Sequence, residues 1–92
     1  MKSKEDINNM RPNQLVSWFL ISSYAYYEIS EPIMSDSTFD LLVERMKTHW
    51  EEIDHYHKYL ITQSHLDAGT GYDIKFPEIV KYSTMAYLRE NR

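Results

Sequence analysis

The chain has 92 residues, 42% hydrophobic and 14% aromatic, with a formal net charge of −4; that length allows one modest core and that composition excludes wholesale disorder. It contains no cysteine, which excludes a disulfide framework and a thiolate zinc site. No segment approaches the roughly 20 uninterrupted apolar residues that span a bilayer, and the N-terminal stretch is polar rather than signal-like, so a soluble cytoplasmic protein with no membrane association is expected.

Residues 1 to 10 are polar and include Asn8-Asn9, which reads as a flexible arm ending at Arg11-Pro12, where proline suits the first turn of a helix. From there Leu15, Trp18, Phe19, Ser22, Tyr26 and Ile29 recur at helical spacing and mark one face for burial. Val16, Leu20 and Tyr27 form a second apolar face. A helix apolar on two sides either lies between two other elements or offers one side to a partner. Glu31-Pro32 ends this helix, because the residue before proline is pushed out of the α region, and Ile33 and Met34 form a short connection.

Ser35 and Asp36 then offer N-cap oxygens, and Phe39, Leu42, Val43, Met46, Trp50, Ile53, His57 and Leu60 keep helical spacing for about six turns. Both glycines, Gly69 and Gly71, fall with Ser64, Asp67 and Asp73 in a stretch whose composition favours turns. Pro77 opens a last helix, with Glu78 at its positive end, Arg89 near its negative end and Ile79, Val80, Met85 and Leu88 on its apolar side. No alternating strand pattern of useful length appears. The expected architecture is all-α, one domain of about three helices. Its parts are an arm over 1–10, a helical hairpin over 11–61, a loop over 62–76 and a C-terminal helix over 77–90.

Residues 28 to 54 carry eight acidic side chains against Arg45 and Lys47 alone. Phosphate neutralisation supplies most non-specific nucleic-acid affinity, so this acidic middle disfavours direct DNA or RNA binding and leaves a small ligand or a protein as partner. His55 and His57 are two apart on an expected helix and cannot face one ion, so no metal is expected there. Gly69-Thr70-Gly71 lacks the lysine of a phosphate loop and reads as a turn. Ser35 and Ser37 have no nearby histidine in sequence, and no catalytic residue is assigned.

Asp36 and Asp40 are four apart at the start of the second helix, so their carboxylates share a face, across the Pro32 loop from Tyr26 and Tyr27. Such a corner could stack an aromatic ring on tyrosine and accept hydrogen bonds from an amide or from ribose hydroxyls. Alternatively, Asp36 caps the helix, Asp40 complements its dipole and the tyrosines pack the hairpin.

The whole string Tyr26-Tyr27-Glu28-Ile29-Ser30-Glu31-Pro32-Ile33-Met34-Ser35-Asp36-Ser37-Thr38-Phe39-Asp40-Leu41-Leu42 resembles the N-terminal Ia segment of NAD-dependent DNA ligases. There a helix ending in Tyr-Tyr or Tyr-His leads through a proline loop to Ser-Asp, two variable residues, Tyr-Asp and a leucine. The resemblance covers about residues 22 to 60. It implies a helical hairpin that closes over the nicotinamide mononucleotide half of NAD, with Tyr26, Tyr27, Asp36, Phe39 and Asp40 at the cofactor-contact positions. Phe39 stands where the family has tyrosine, so the ring is kept and a hydroxyl is lost.

No lysine here stands in the family's Lys-x-Asp-Gly adenylation context, and the length leaves no room for its other modules. The resemblance therefore implies a non-catalytic module, not an enzyme on its own, that binds NAD or nicotinamide mononucleotide, a protein partner, or both. Two alternatives accompany it. One is the lid subunit of a split NAD-dependent ligase; the other is a phage- or virus-encoded interaction or inhibitor protein that binds no nucleotide and works in the host cytoplasm.

Overall fold

The structure is a computed structural model that describes residues 1–91. It is all-helical: α1 (Lys4–Asn8), α2 (Pro12–Tyr24), α3 (Asp36–Thr48), α4 (Gln63–Ala68) and α5 (Glu78–Glu90). The long elements α2, α3 and α5 have 13 residues each and match the three helices expected from periodicity. Among the described residues no helix is long and apolar enough to cross a membrane.

Pro12 begins α2 as its fixed φ allows, and α2 packs against both α3 and α5. That resolves its two apolar faces: Leu15, Val16, Phe19 and Leu20 are all fully buried. α5 is fastened to α2 by Trp18 against Tyr87, ring centroids 5.2 Å apart, and by Tyr24 against Phe76 at 5.4 Å. Both pairs are edge-on, the arrangement that aligns positive ring edges with negative faces.

Four expectations are corrected. The arm expected over residues 1–10 includes α1, whose Ser3 and Asp6 form a capping box and whose Ile7 is fully buried with Met10 in the core. The Arg45 guanidinium holds this segment by donating to the Ile7 and Met10 carbonyls at 2.7 and 2.9 Å. Lys2 adds a backbone bond to the Ile33 carbonyl, 2.9 Å, and places its ammonium 4.1 Å from the Trp18 ring centre.

The second helix stops at Thr48 rather than near Leu60. Beyond it lie two short 3₁₀ turns, Trp50–Glu52 and Lys58–Leu60. The backbone groups that would continue the helix have side-chain partners instead: Asn13 bonds the N–H and the C=O of Asp54, and Lys58 Nζ donates to the carbonyls of Trp50 and Ile53. The weak helix formers His49, Trp50, Ile53, His55, Tyr56 and His57 offer little resistance to that exchange.

The loop expected over 62–76 contains α4, started by a capping box in which Thr62 Oγ1 accepts from the His65 N–H and His65 Nδ1 accepts from the Thr62 N–H. Gly69, at φ 67°, ends it in the left-handed conformation that suits a residue without Cβ. On α5 the buried side is Val80, Thr84 and Leu88, while Ile79 and Met85, expected to be covered, are exposed.

Candidate functional site

The site forms where α2 runs out. Residues Ala25–Ile29 continue α2 as a single wide π turn, closed by Ser30 in the left-handed conformation at φ 62°, whose N–H donates to the Ala25 carbonyl. Tyr26, expected on the face with Trp18 and Ser22, and Tyr27, expected on the face with Val16 and Leu20, both fall on this wide turn, and both are exposed. They meet edge to face at 4.9 Å. The connection then dips inward, burying Ile33 and Met34, before Ser35 starts α3.

The N-cap of α3 is Ser35, whose Oγ accepts from the Thr38 N–H at 3.2 Å. Asp36 is therefore not the cap. Neither Asp36 nor Asp40 has a hydrogen-bond or ion-pair partner among the described residues. Capping accordingly does not account for the second aspartate or for the free carboxylate of the first. Asp36 does lie in the first turn of α3, where the helix dipole favours an anion.

All five residues singled out from sequence line one cleft of about 320 Å³: Tyr26, Tyr27, Asp36, Phe39 and Asp40. Phe39 forms part of its apolar lining and is anchored from behind by stacking on Phe19, with centroids 5.4 Å apart. Pro32, Ile33 and Met34 add further apolar wall, and among the described residues no lysine, arginine or histidine lines the cleft. The volume is at the small end of the range of roughly 300 to 1,000 Å³ seen for small-molecule sites, enough for one ring and part of a sugar.

Sequence reasoning missed two features. The first is the pair Ser22 and Ser23 at the end of α2, which line the cleft while only 5% and 1% exposed. Neither hydroxyl has a partner among the described residues. An unsatisfied buried hydroxyl costs about 1 to 3 kcal/mol, and most buried polar atoms avoid it. The available signal was two adjacent hydroxyls in the otherwise apolar run Trp18 to Tyr24.

The second is the segment after α4. Thr70 Oγ1 is hydrogen-bonded to the Tyr27 hydroxyl, Tyr72 meets the Tyr27 ring edge to face at 5.6 Å, Gly69 lines the cleft and Gly71 lies against Ser23. His65 fastens the segment from its other end by bonding Asp73. That hydrogen bond holds the Asp73 carboxyl below the usual range for aspartate. Residues far along the chain from the Tyr26 to Asp40 string thus form one side of the site.

A second, shallower cleft brings Ser17 Oγ within 2.9 Å of His55 Nε2, a pair that sequence separation hid. The tautomer argues against a nucleophile. His55 Nδ1 accepts from the His57 N–H at 3.0 Å, so in the neutral ring Nε2 carries the proton and has no lone pair with which to activate serine. Burial, and then the nearby His57, lower the His55 pKa and favour that neutral ring. Among the described residues no cluster of three or more His, Cys, Asp or Glu side chains could hold a metal ion.

Comparisons with family models, curated proteins and solved structures find no match to this chain.

Proposed function

We propose that the chain is a non-catalytic binding module whose cleft takes the nicotinamide end of NAD or of nicotinamide mononucleotide. The observation that carries this reading is the pairing, in one cleft, of two exposed tyrosine rings with two carboxylates that have no partner among the described residues. A pyridinium ring is flat, cationic and carries an amide donor. Tyrosine faces attract such a cation, and carboxylates accept its amide N–H or the ribose hydroxyls. The resemblance of Tyr26 to Asp40 to the ligase Ia segment supports the same ligand.

An adenylating lysine would have to come from a second chain, which makes a split-ligase lid one form of this proposal. Calorimetric or NMR titration of the full chain with nicotinamide mononucleotide and with NAD tests it, using Asp36→Ala as control. Saturable binding that Asp36→Ala weakens is expected. No response at millimolar ligand rejects it.

One observation favours a protein partner as well. Ile79, Tyr82 and Met85 follow at three-residue spacing on α5 and are 59%, 72% and 42% exposed, an apolar stripe on the side of α5 away from Val80, Thr84 and Leu88. In that form of the proposal the module docks on another protein through α5, and the cleft either regulates docking or plays no part.

A further inference from the structure

We infer that Ser22 and Ser23 are the specificity-determining residues of the cleft, and that they select a carboxamide over the corresponding carboxylic acid. The inference rests on the nicotinamide reading above and names which end of the ligand lies deepest.

A serine within a helix has a ready way to satisfy its hydroxyl, by donating to the carbonyl one turn back. The buried Thr84 on α5 does so, its Oγ1 lying 2.7 Å from the Val80 carbonyl. Ser22 and Ser23 are as thoroughly buried and do not, although the same carbonyls are one turn behind them. Both residues line the cleft instead. Two adjacent buried serines on the cleft wall, with hydroxyls that have no partner among the described residues, are placed to meet a ligand group once a side-chain rotation turns them toward it.

The chemistry of that group follows from what surrounds it. Each hydroxyl can donate one hydrogen bond and accept others, whereas Asp36 and Asp40 only accept. Among the described residues no cationic side chain lines the cleft, so an anionic end would meet two carboxylates with none of these residues to neutralise it. A neutral group carrying both a donor and an acceptor fits all four side chains, and a primary carboxamide on a flat ring is such a group. Its C=O accepts from one serine and its NH₂ donates to the other or to an aspartate. Replacing the amide by a carboxylate removes the donors and adds a charge of the wrong sign.

Gly71 holds the segment after α4 close against this part of the cleft wall. A Cβ built on Gly71 would fall 2.9 Å from Ser23 Cβ and closer still to its Oγ, so the backbone of that segment packs directly against Ser23.

The test compares the full chain with Ser22→Ala and Ser23→Ala, each titrated with nicotinamide mononucleotide and with nicotinic acid mononucleotide, together with ligand-free thermal unfolding. Wild type should prefer the amide at least tenfold. Each alanine variant should lose about two- to tenfold in affinity for the amide, the worth of one hydrogen bond, with little change toward the acid. Without ligand each variant should unfold at the same or a higher temperature, because removing an unpartnered buried hydroxyl relieves a penalty; a hydroxyl with a structural role would give the opposite. Equal binding of amide and acid by wild type, unchanged amide affinity in both variants, or a lower unfolding temperature in both overturns the inference and leaves the nicotinamide reading standing. Failure of wild type to bind either nucleotide overturns both.

Discussion

The two glycines of the segment after α4 should respond to substitution in opposite ways, because they are glycine for different reasons. Gly69 sits at φ 67° with nothing within 4 Å of a built Cβ, so its requirement is conformational. Gly71 has no such φ but would place a Cβ 2.9 Å from Ser23 Cβ and 3.2 Å from Ile74 Cδ1, so its requirement is space. Ser23 belongs to the middle element of the core and Ile74 is buried, so neither can yield cheaply. Overpacking of this kind costs about 1 to 3 kcal/mol, which for a chain of this size lowers the unfolding midpoint by roughly 5 to 20 °C. Gly69→Asn should be nearly neutral, since asparagine tolerates the left-handed region, whereas Gly71→Asn should be as damaging as Gly71→Ala or worse. Circular dichroism melts of the four proteins decide the matter. A double-mutant cycle of Gly71→Ala with Ser23→Gly should show a coupling of about 0.5 to 3 kcal/mol in favour of the pair, after the intrinsic cost of a helical glycine is set aside. If Gly71→Ala melts within about 2 °C of wild type, a shift worth under about 0.5 kcal/mol, the close approach to Ser23 does not exist.

Further expectations concern single residues around the site. Ser35→Ala should destabilise by about 1 kcal/mol as the loss of an N-cap, whereas Asp40→Ala should stay within about 0.5 kcal/mol in urea unfolding; the reverse ranking would return the carboxylates to a structural role. Phe39→Tyr should tighten nicotinamide mononucleotide binding by up to about tenfold if its hydroxyl meets the ligand, and unchanged calorimetric affinity would show that this position reads only the ring face. His55 has a folded pKa below its unfolded value of about 6.5, so the unfolded chain binds the extra proton more readily and stability falls with pH. The contribution is complete above that unfolded value and is lost as pH drops from it toward the folded one. Urea midpoints measured at pH 8, 6 and 5 should therefore decline more steeply for wild type than for His55→Gln, and parallel profiles would contradict it.

How much of this was legible in sequence depends on what kind of information each feature carries. Periodicity located α2, α3 and α5 because each buries a face through many residues, and the start of α2 at Pro12 is a local steric fact. It overran α3 because Trp50, Ile53, His57 and Leu60 continue the spacing by themselves, while the groups that end the helix, Asn13 and Lys58, act by side-chain bonds to the backbone of residues 50 to 54. A capping box with histidine in the third position and a five-residue helix held by a distant arginine leave equally little trace in composition. The all-α class therefore survives, and the short elements between the long ones do not.

The site divides along the same line. Tyr26, Tyr27, Asp36, Phe39 and Asp40 lie within fifteen positions of one another on two joined helices, so a local pattern suffices to bring them to one cleft. Ser35 rather than Asp36 makes the cap, and that assignment changes the weight of the pattern, because it leaves Asp36, like Asp40, without a partner among the described residues. Ser22 and Ser23 differ in kind. The spacing of Ser22 with the apolar residues of α2 marks it for burial, and both serines are buried; what sequence could not convey is that they line a cleft beside the wide turn after Tyr24, with hydroxyls that no described residue satisfies. A polar pair in an apolar helix is a weak signal until packing shows whether its hydrogen bonds are met. Here none of the described residues meets them, and the cleft that both serines line is where a ligand group would be tested for.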